Sequence, residues 1–186
     1  MNYLLDSDGQ SEVDTWKIID QYVPSWHTPI SDQIDLRMLL TLPVHEKLAM
    51  VFLQRQKAEK KWQHLGTDQL IAIASRVKTA ENDIDQSPGV YIFCSLLSGT
   101  VLKVGQTENM RRRIAFEHLR KCSMNTNSLL SDYAQRHWSV AQDADWYESL
   151  NAEKVTALMF PMFGSGNVDR VLIELSLKEM LHPDMP

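Results

Sequence analysis

The hydrophobic period of this chain changes from helical to strand-like at Ser87-Pro88, and that switch limits what it can fold into. Upstream, apolar residues recur at helical spacing. Val13, Trp16, Ile19 and Tyr22 mark a first helix with Ser11 as its N-cap. Ser31 and Asp32 open a second, with Ile34, Leu36, Leu39 and Leu40 on its apolar face. Val44 to Leu65 reads as a long third helix, Leu48, Val51 and Phe52 on one side and Arg55, Lys57, Glu59, Lys60 and Lys61 outside. Gly66 is expected to stop it in a left-handed conformation, and Thr67 to cap a helix bearing Leu70, Ile71, Ile73, Ala74 and Val77. The turn-forming, charged run 81–89 then reads as a boundary.

Beyond it the period is two. Val90 to Cys94 and Thr100 to Val104 form a hairpin around the loop Ser95-Leu96-Leu97-Ser98-Gly99. A loop centred on Leu97 sets Tyr91 opposite Lys103 and Phe93 opposite Val101, with Val90, Ile92, Leu102 and Val104 on the other face. Gly105-Gln106-Thr107 is expected as a turn and Glu108 to Lys121 as a helix with Met110, Ile114 and His118 along one stripe and Arg111, Arg112 and Lys121 outward. Helices near 127–137 and 146–152, a strand over 155–160 and an apolar helix from Val168 to Leu181 complete the pattern.

The 186 residues carry a net charge of −5, which argues against a generic nucleic-acid binder. The distribution is uneven. Lys103 to Lys121 holds six basic residues against two acidic ones, a basic island in an acidic chain. Cys94 and Cys122 are too few for a disulfide framework or a thiolate zinc site. The six histidines show no close zinc spacing, and Gly164-Ser165-Gly166 is neither a nucleophile elbow nor a dinucleotide fingerprint. No stretch approaches the ~20 apolar residues of a membrane span, and the N-terminus shows no secretory pattern, so the expected location is cytoplasmic.

Three segments together resemble the catalytic domain of the GIY-YIG nucleases. Gly89-Val90-Tyr91 stands as the first motif, after Ser87-Pro88. Lys103-Val104-Gly105 stands as the second, with lysine in place of tyrosine. Val104 to Ile114 is similar to the family's continuation and sets its arginine on Arg113, with His118 following and Glu174 in the last apolar helix, closed by His182-Pro183. The asparagine usual after that proline is replaced by Asp184-Met185-Pro186. The resemblance implies an α+β fold: a small three-stranded antiparallel sheet flanked by helices over 87–186, preceded by an all-helical region over 1–86 that recognises, positions or oligomerises.

The activity implied is metal-dependent DNA endonucleolysis, with Tyr91, Lys103, Arg113, His118 and Glu174 catalytic, Gly89 and Gly105 structural, and Arg111, Arg112, Arg120 and Lys121 on the nucleic acid. Glu174 would hold one Mg²⁺ or Mn²⁺ with its waters retained, and Arg113 would fork onto the phosphate. Tyr91 would position or deprotonate the water, its pKa lowered by Lys103 opposite. Nucleic acid, DNA foremost, is the expected partner, with no membrane and with a homo-oligomer through the N-terminal region left open. The same residues have structural readings. Arg113 and Glu117, or Arg170, Glu174 and Lys178, are i,i+4 ion pairs; His118 is a core histidine; Tyr91 and Lys103 are strand residues. A GIY-YIG scaffold that binds nucleic acid or protein without cutting is the alternative function.

Overall fold

A computed structural model describes residues 5–22, 43–120, 129–138 and 146–185. The helix expected over 31–40 lies outside them. Helix α1 (Leu5–Tyr22) and helix α2 (Val44–Glu59) lead to strand β1 (Gln63–Leu65), then α3 (Thr67–Ala74) and α4 (Lys78–Asn82). The hairpin of β2 (Gly89–Ser95) and β3 (Thr100–Thr107) is followed by a π-helical segment, Arg112–His118. Next come α5 (Leu129–His137), α6 (Glu148–Ala152), β4 (Val155–Pro161) and α7 (Asn167–Leu181). No described helix is long and apolar enough to cross a membrane.

The sheet is antiparallel throughout, but it has four strands rather than three, in the order β1-β4-β2-β3. The fourth comes from the region expected to be all helical. The long helix read over 44–65 ends instead at Glu59, because Lys60 takes the left-handed conformation assigned to Gly66, and the chain returns as β1 against β4. Gly66 is extended and caps α3, its N–H donating to Gln69 Oε1. Helix α1 starts ahead of Ser11, and Val13 faces outward while Trp16, Ile18 and Ile19 are buried.

Helices cover both faces of the sheet, so central β2 is buried along its whole length and reads as a continuous apolar run. On one face Val90, Ile92, Cys94, Val101, Val104, Leu158 and Phe160 pack against α1, α2 and Leu177 and Leu181 of α7. On the other, Tyr91, Phe93, Leu102, Ala157 and Met159 pack against Leu65, Leu70, Ile73, Met110, Ile114 and Leu119. The first core unites both halves of the sequence.

Two corrections concern the hairpin. Gly105, Gln106 and Thr107 continue β3 rather than turning, and the pairing is displaced by two residues: Tyr91 faces Gly105, and Phe93 faces Lys103. The register then shifts between Phe93 and Cys94, which pairs with Val101, so Leu102 is the extra residue of a β-bulge. That bulge turns Leu102 onto the Tyr91 face, not the Val90 face expected for it. Backbone N–H groups of Asp184 and Met185 donate to the carbonyls of Val101 and Leu102, seating the C-terminal segment on the bulge.

Candidate active site

Tyr91 leaves central β2 and lies across its neighbour β3. It can do so because its cross-strand partner is a glycine: a β-carbon on Gly105 would collide with the hydroxyl and Cζ of Tyr91. Gly89 has a similar reason, since a β-carbon there would meet the Phe160 carbonyl and Met110. The Tyr91 hydroxyl ends 2.7 Å from His118 Nε2, and both side chains are buried. His118 reaches it from the π-helical segment, whose Ile114 and His118 face the core, as does Met110 just ahead of it, in the stripe their spacing predicts. Phe93 packs on both rings, its centroid 5.9 Å from Tyr91 and 5.3 Å from His118.

Burial, then the cations Arg113 and Lys103, push the His118 pKa down to about 3, so this imidazole is neutral near pH 7. Among the described residues nothing hydrogen-bonds its Nδ1. Buried N–H groups without a partner are rarer than under-satisfied acceptors. That asymmetry favours the tautomer with the proton on Nε2, donating to the Tyr91 oxygen, and it leaves the Tyr91 O–H to point elsewhere. Burial raises the Tyr91 pKa; Arg113 opposes the rise while Glu174 and Glu117 add to it. The cation acting on the phenol is therefore Arg113, not Lys103, because Lys103 sits two residue pairs further along the strand.

Lys103 is half-buried. Its pKa is lowered by desolvation and then by Lys178, raised by Glu174 and lowered again by Arg113. Helix α7 packs against β3 and β2, which brings Glu174 and Lys178 near the hairpin. The Glu174 side chain is 18% exposed and accepts from Lys178 Nζ at 3.1 Å. Arg113 pairs with Glu117 one turn on, while its Nε has no partner among the described residues. Both i,i+4 pairs read from the sequence are thus formed, except that Arg170 does not join Glu174. Arg170 is buried and donates to the Ser165 carbonyl at 2.8 Å, with Glu108 3.7 Å away. Tyr91, Lys103, Arg113, His118 and Glu174 thus come from β2, β3, the π-helical segment and α7 to one place at the sheet edge.

The basic island divides. Arg111 donates to the carbonyls of Ile84 and Asn82, tying down the segment after α4 rather than spreading outward. Arg120 donates to the Ile73 carbonyl, pairs with Glu81 and is 11% exposed. Arg112 is 78% exposed, with Glu117 3.5 Å away. Lys121 lies outside the described residues. On α2, Arg55 and Lys61 pair with Glu59, and Lys57 pairs with Asp20 and lies over the Trp16 ring.

No three His, Cys, Asp or Glu side chains among the described residues cluster as a metal cage. Glu174 is a single hard carboxylate beside Lys103, Lys178 and Arg113. That donor set fits a Mg²⁺ ion that keeps most of its waters and shares its charge with a phosphate, and it does not fit an ion needing several protein ligands. Lys178 is the member that sequence reasoning left out of the site, although its spacing of four from Glu174 was the available signal. Comparison of the chain with protein-family models, with characterised proteins and with solved structures finds no match.

Proposed function

We propose that this chain is a metal-dependent endonuclease that hydrolyses DNA phosphodiester bonds at the site formed by Tyr91, Lys103, Arg113, His118 and Glu174. The observation that carries the reading is the convergence of a neutral phenol, cations and one carboxylate, from four separate elements, on one half-buried patch. Phosphodiester hydrolysis needs an oriented water, neutralisation of the phosphoryl oxygens and help for the leaving alkoxide. His118 donates to the Tyr91 oxygen and fixes the buried ring, which leaves the phenol proton for a water that enters with the substrate. With its pKa raised, Tyr91 orients that water as a phenol and does not deprotonate it in the resting protein. Arg113 offers the terminal nitrogens of its fork to the phosphate, and Lys103 adds a second cation. Glu174 would hold Mg²⁺ or Mn²⁺, which when bound supplies charge neutralisation at the phosphoryl and leaving oxygens. Among the described island residues, Arg112 is the most exposed and would touch the backbone of the nucleic acid.

A second reading keeps the scaffold and drops the chemistry. It is favoured by the two closed ion pairs, Arg113–Glu117 and Glu174–Lys178, which a binding module would also display. Incubating the protein with supercoiled plasmid and with single-stranded DNA, in Mg²⁺, Mn²⁺ or EDTA, separates the two. Nicking that requires the divalent ion is expected. Retention of DNA in a gel shift with no cleavage in either metal assigns the chain to the binding class.

A further inference from the structure

We propose that Lys178 is a positioning residue that occupies Glu174 in the resting protein and releases it to the metal when a phosphodiester enters. The inference rests on the reading of Glu174 as metal ligand and adds a regulation to it. Lys178 Nζ lies 3.1 Å from Glu174 Oε1. The pair has the favourable order, Glu four residues ahead of Lys on one helix, so α7 pre-forms it. Arg113 is held in the same way by Glu117. Without substrate the site therefore contains three cations (Lys103, Arg113 and Lys178), two carboxylates already engaged (Glu117 and Glu174), and a neutral imidazole. A divalent ion arriving alone meets an excess of positive charge and a carboxylate whose oxygen already accepts from an ammonium.

A phosphodiester changes both conditions. Its anionic oxygens attract Lys178, Lys103 and Arg113, drawing Lys178 and Arg113 from their carboxylates, and its charge offsets that of the ion. Glu174 is then open to the metal while the displaced ammonium is on the phosphate. Metal and phosphate consequently bind with positive coupling, and the coupling is reciprocal. A pair that merely staples α7 would change helix stability and leave metal affinity alone.

The test measures Mn²⁺ binding without nucleic acid, from the loss of the free-ion electron paramagnetic resonance signal, for the parental protein, Lys178→Gln, Lys178→Arg and Glu174→Gln, each checked for a parental melting temperature. Lys178→Gln should tighten Mn²⁺ binding roughly fivefold, as for removal of one partly exposed charge, and added KCl should shrink the gain. Lys178→Arg, which keeps the charge, should stay within about twofold of the parental protein, and Glu174→Gln should lose the site. Dimethyl phosphate, a minimal phosphodiester, should tighten Mn²⁺ on the parental protein more than on Lys178→Gln. Equal affinity of the parental protein and Lys178→Gln, with binding lost in Glu174→Gln, overturns the role of Lys178 and leaves Glu174 as ligand. Parental affinity in Glu174→Gln overturns the metal site itself, and this proposal with it.

Discussion

Gly105 and Tyr91 specify each other. The phenol ring occupies the volume that any side chain at 105 would need, so the glycine is required for space rather than for backbone conformation. Gly105→Ala must therefore push Tyr91 off its hydrogen bond to His118. It should cost about 1–3 kcal/mol by overpacking in urea titrations, and should lower cleavage, as should Tyr91→Phe. His118 supplies a pH signature of its own. Its folded pKa of about 3 lies below the ordinary 6.5, so between those values the unfolded chain carries a proton that the folded one lacks, and acid favours unfolding. Stability should fall from pH 6.5 toward pH 4 by at most about 1.4 kcal/mol per pH unit from this residue. Removing the imidazole in His118→Phe should flatten that slope in denaturant titrations run across the range. An unchanged slope would mean that His118 is protonated in the fold.

At the scale of elements, the hairpin was legible because period-two apolar runs flank a loop ending in glycine. Its register was not. Ser95 pairs with Thr100, so the loop is one residue shorter than read and displaces the pairing by one. The bulge at Leu102 displaces every residue on the Gly105 side by one more, and a bulge leaves no mark in hydrophobic alternation. The error mattered chemically, because it set Lys103 against Tyr91 and made it the perturbing cation in place of Arg113. Tyr91 and Lys103 were nonetheless read on one face, since strand alternation keeps Tyr91, Phe93, Lys103 and Gly105 together whichever pairs oppose. Strand β1 was missed for another reason. Trp62 and Leu65 sit at a helical spacing of three, so Gln63–Leu65 looked like the last turn of α2. The stop signal there is conformational, Lys60 at φ 50°, a region where glycine is cheaper than any other residue. Lys60→Gly should accordingly stabilise the protein by about 0.5–1 kcal/mol in thermal or urea melts, despite removing a charge at the surface.

The molecule as a whole is one sheet between two helical layers, and the boundary seen at 81–89 is a change of secondary structure that the cores cross. Trp16, Ile19, Met50, Leu53 and Phe52 cover the Val90–Ile92–Phe160 face, and β1 caps the free edge of β4. A fragment of residues 87–186 would expose that face and that edge together. It should therefore aggregate or bind a hydrophobic dye strongly, where the full chain gives a cooperative melt. The N-terminal region thus supports the site through the sheet, whatever else it contacts. The proposed function depends above all on Glu174, presented by α7 against this sheet, serving a metal in phosphodiester cleavage. The direct measurement compares Glu174→Ala with the parental protein for DNA cleavage in Mg²⁺ and for DNA binding in EDTA. The expected result is a folded variant that binds DNA as well as or better than the parental protein, because one negative charge near the phosphates is gone, and that cuts slower by several orders of magnitude. A folded Glu174→Ala protein that cuts at the parental rate would contradict it.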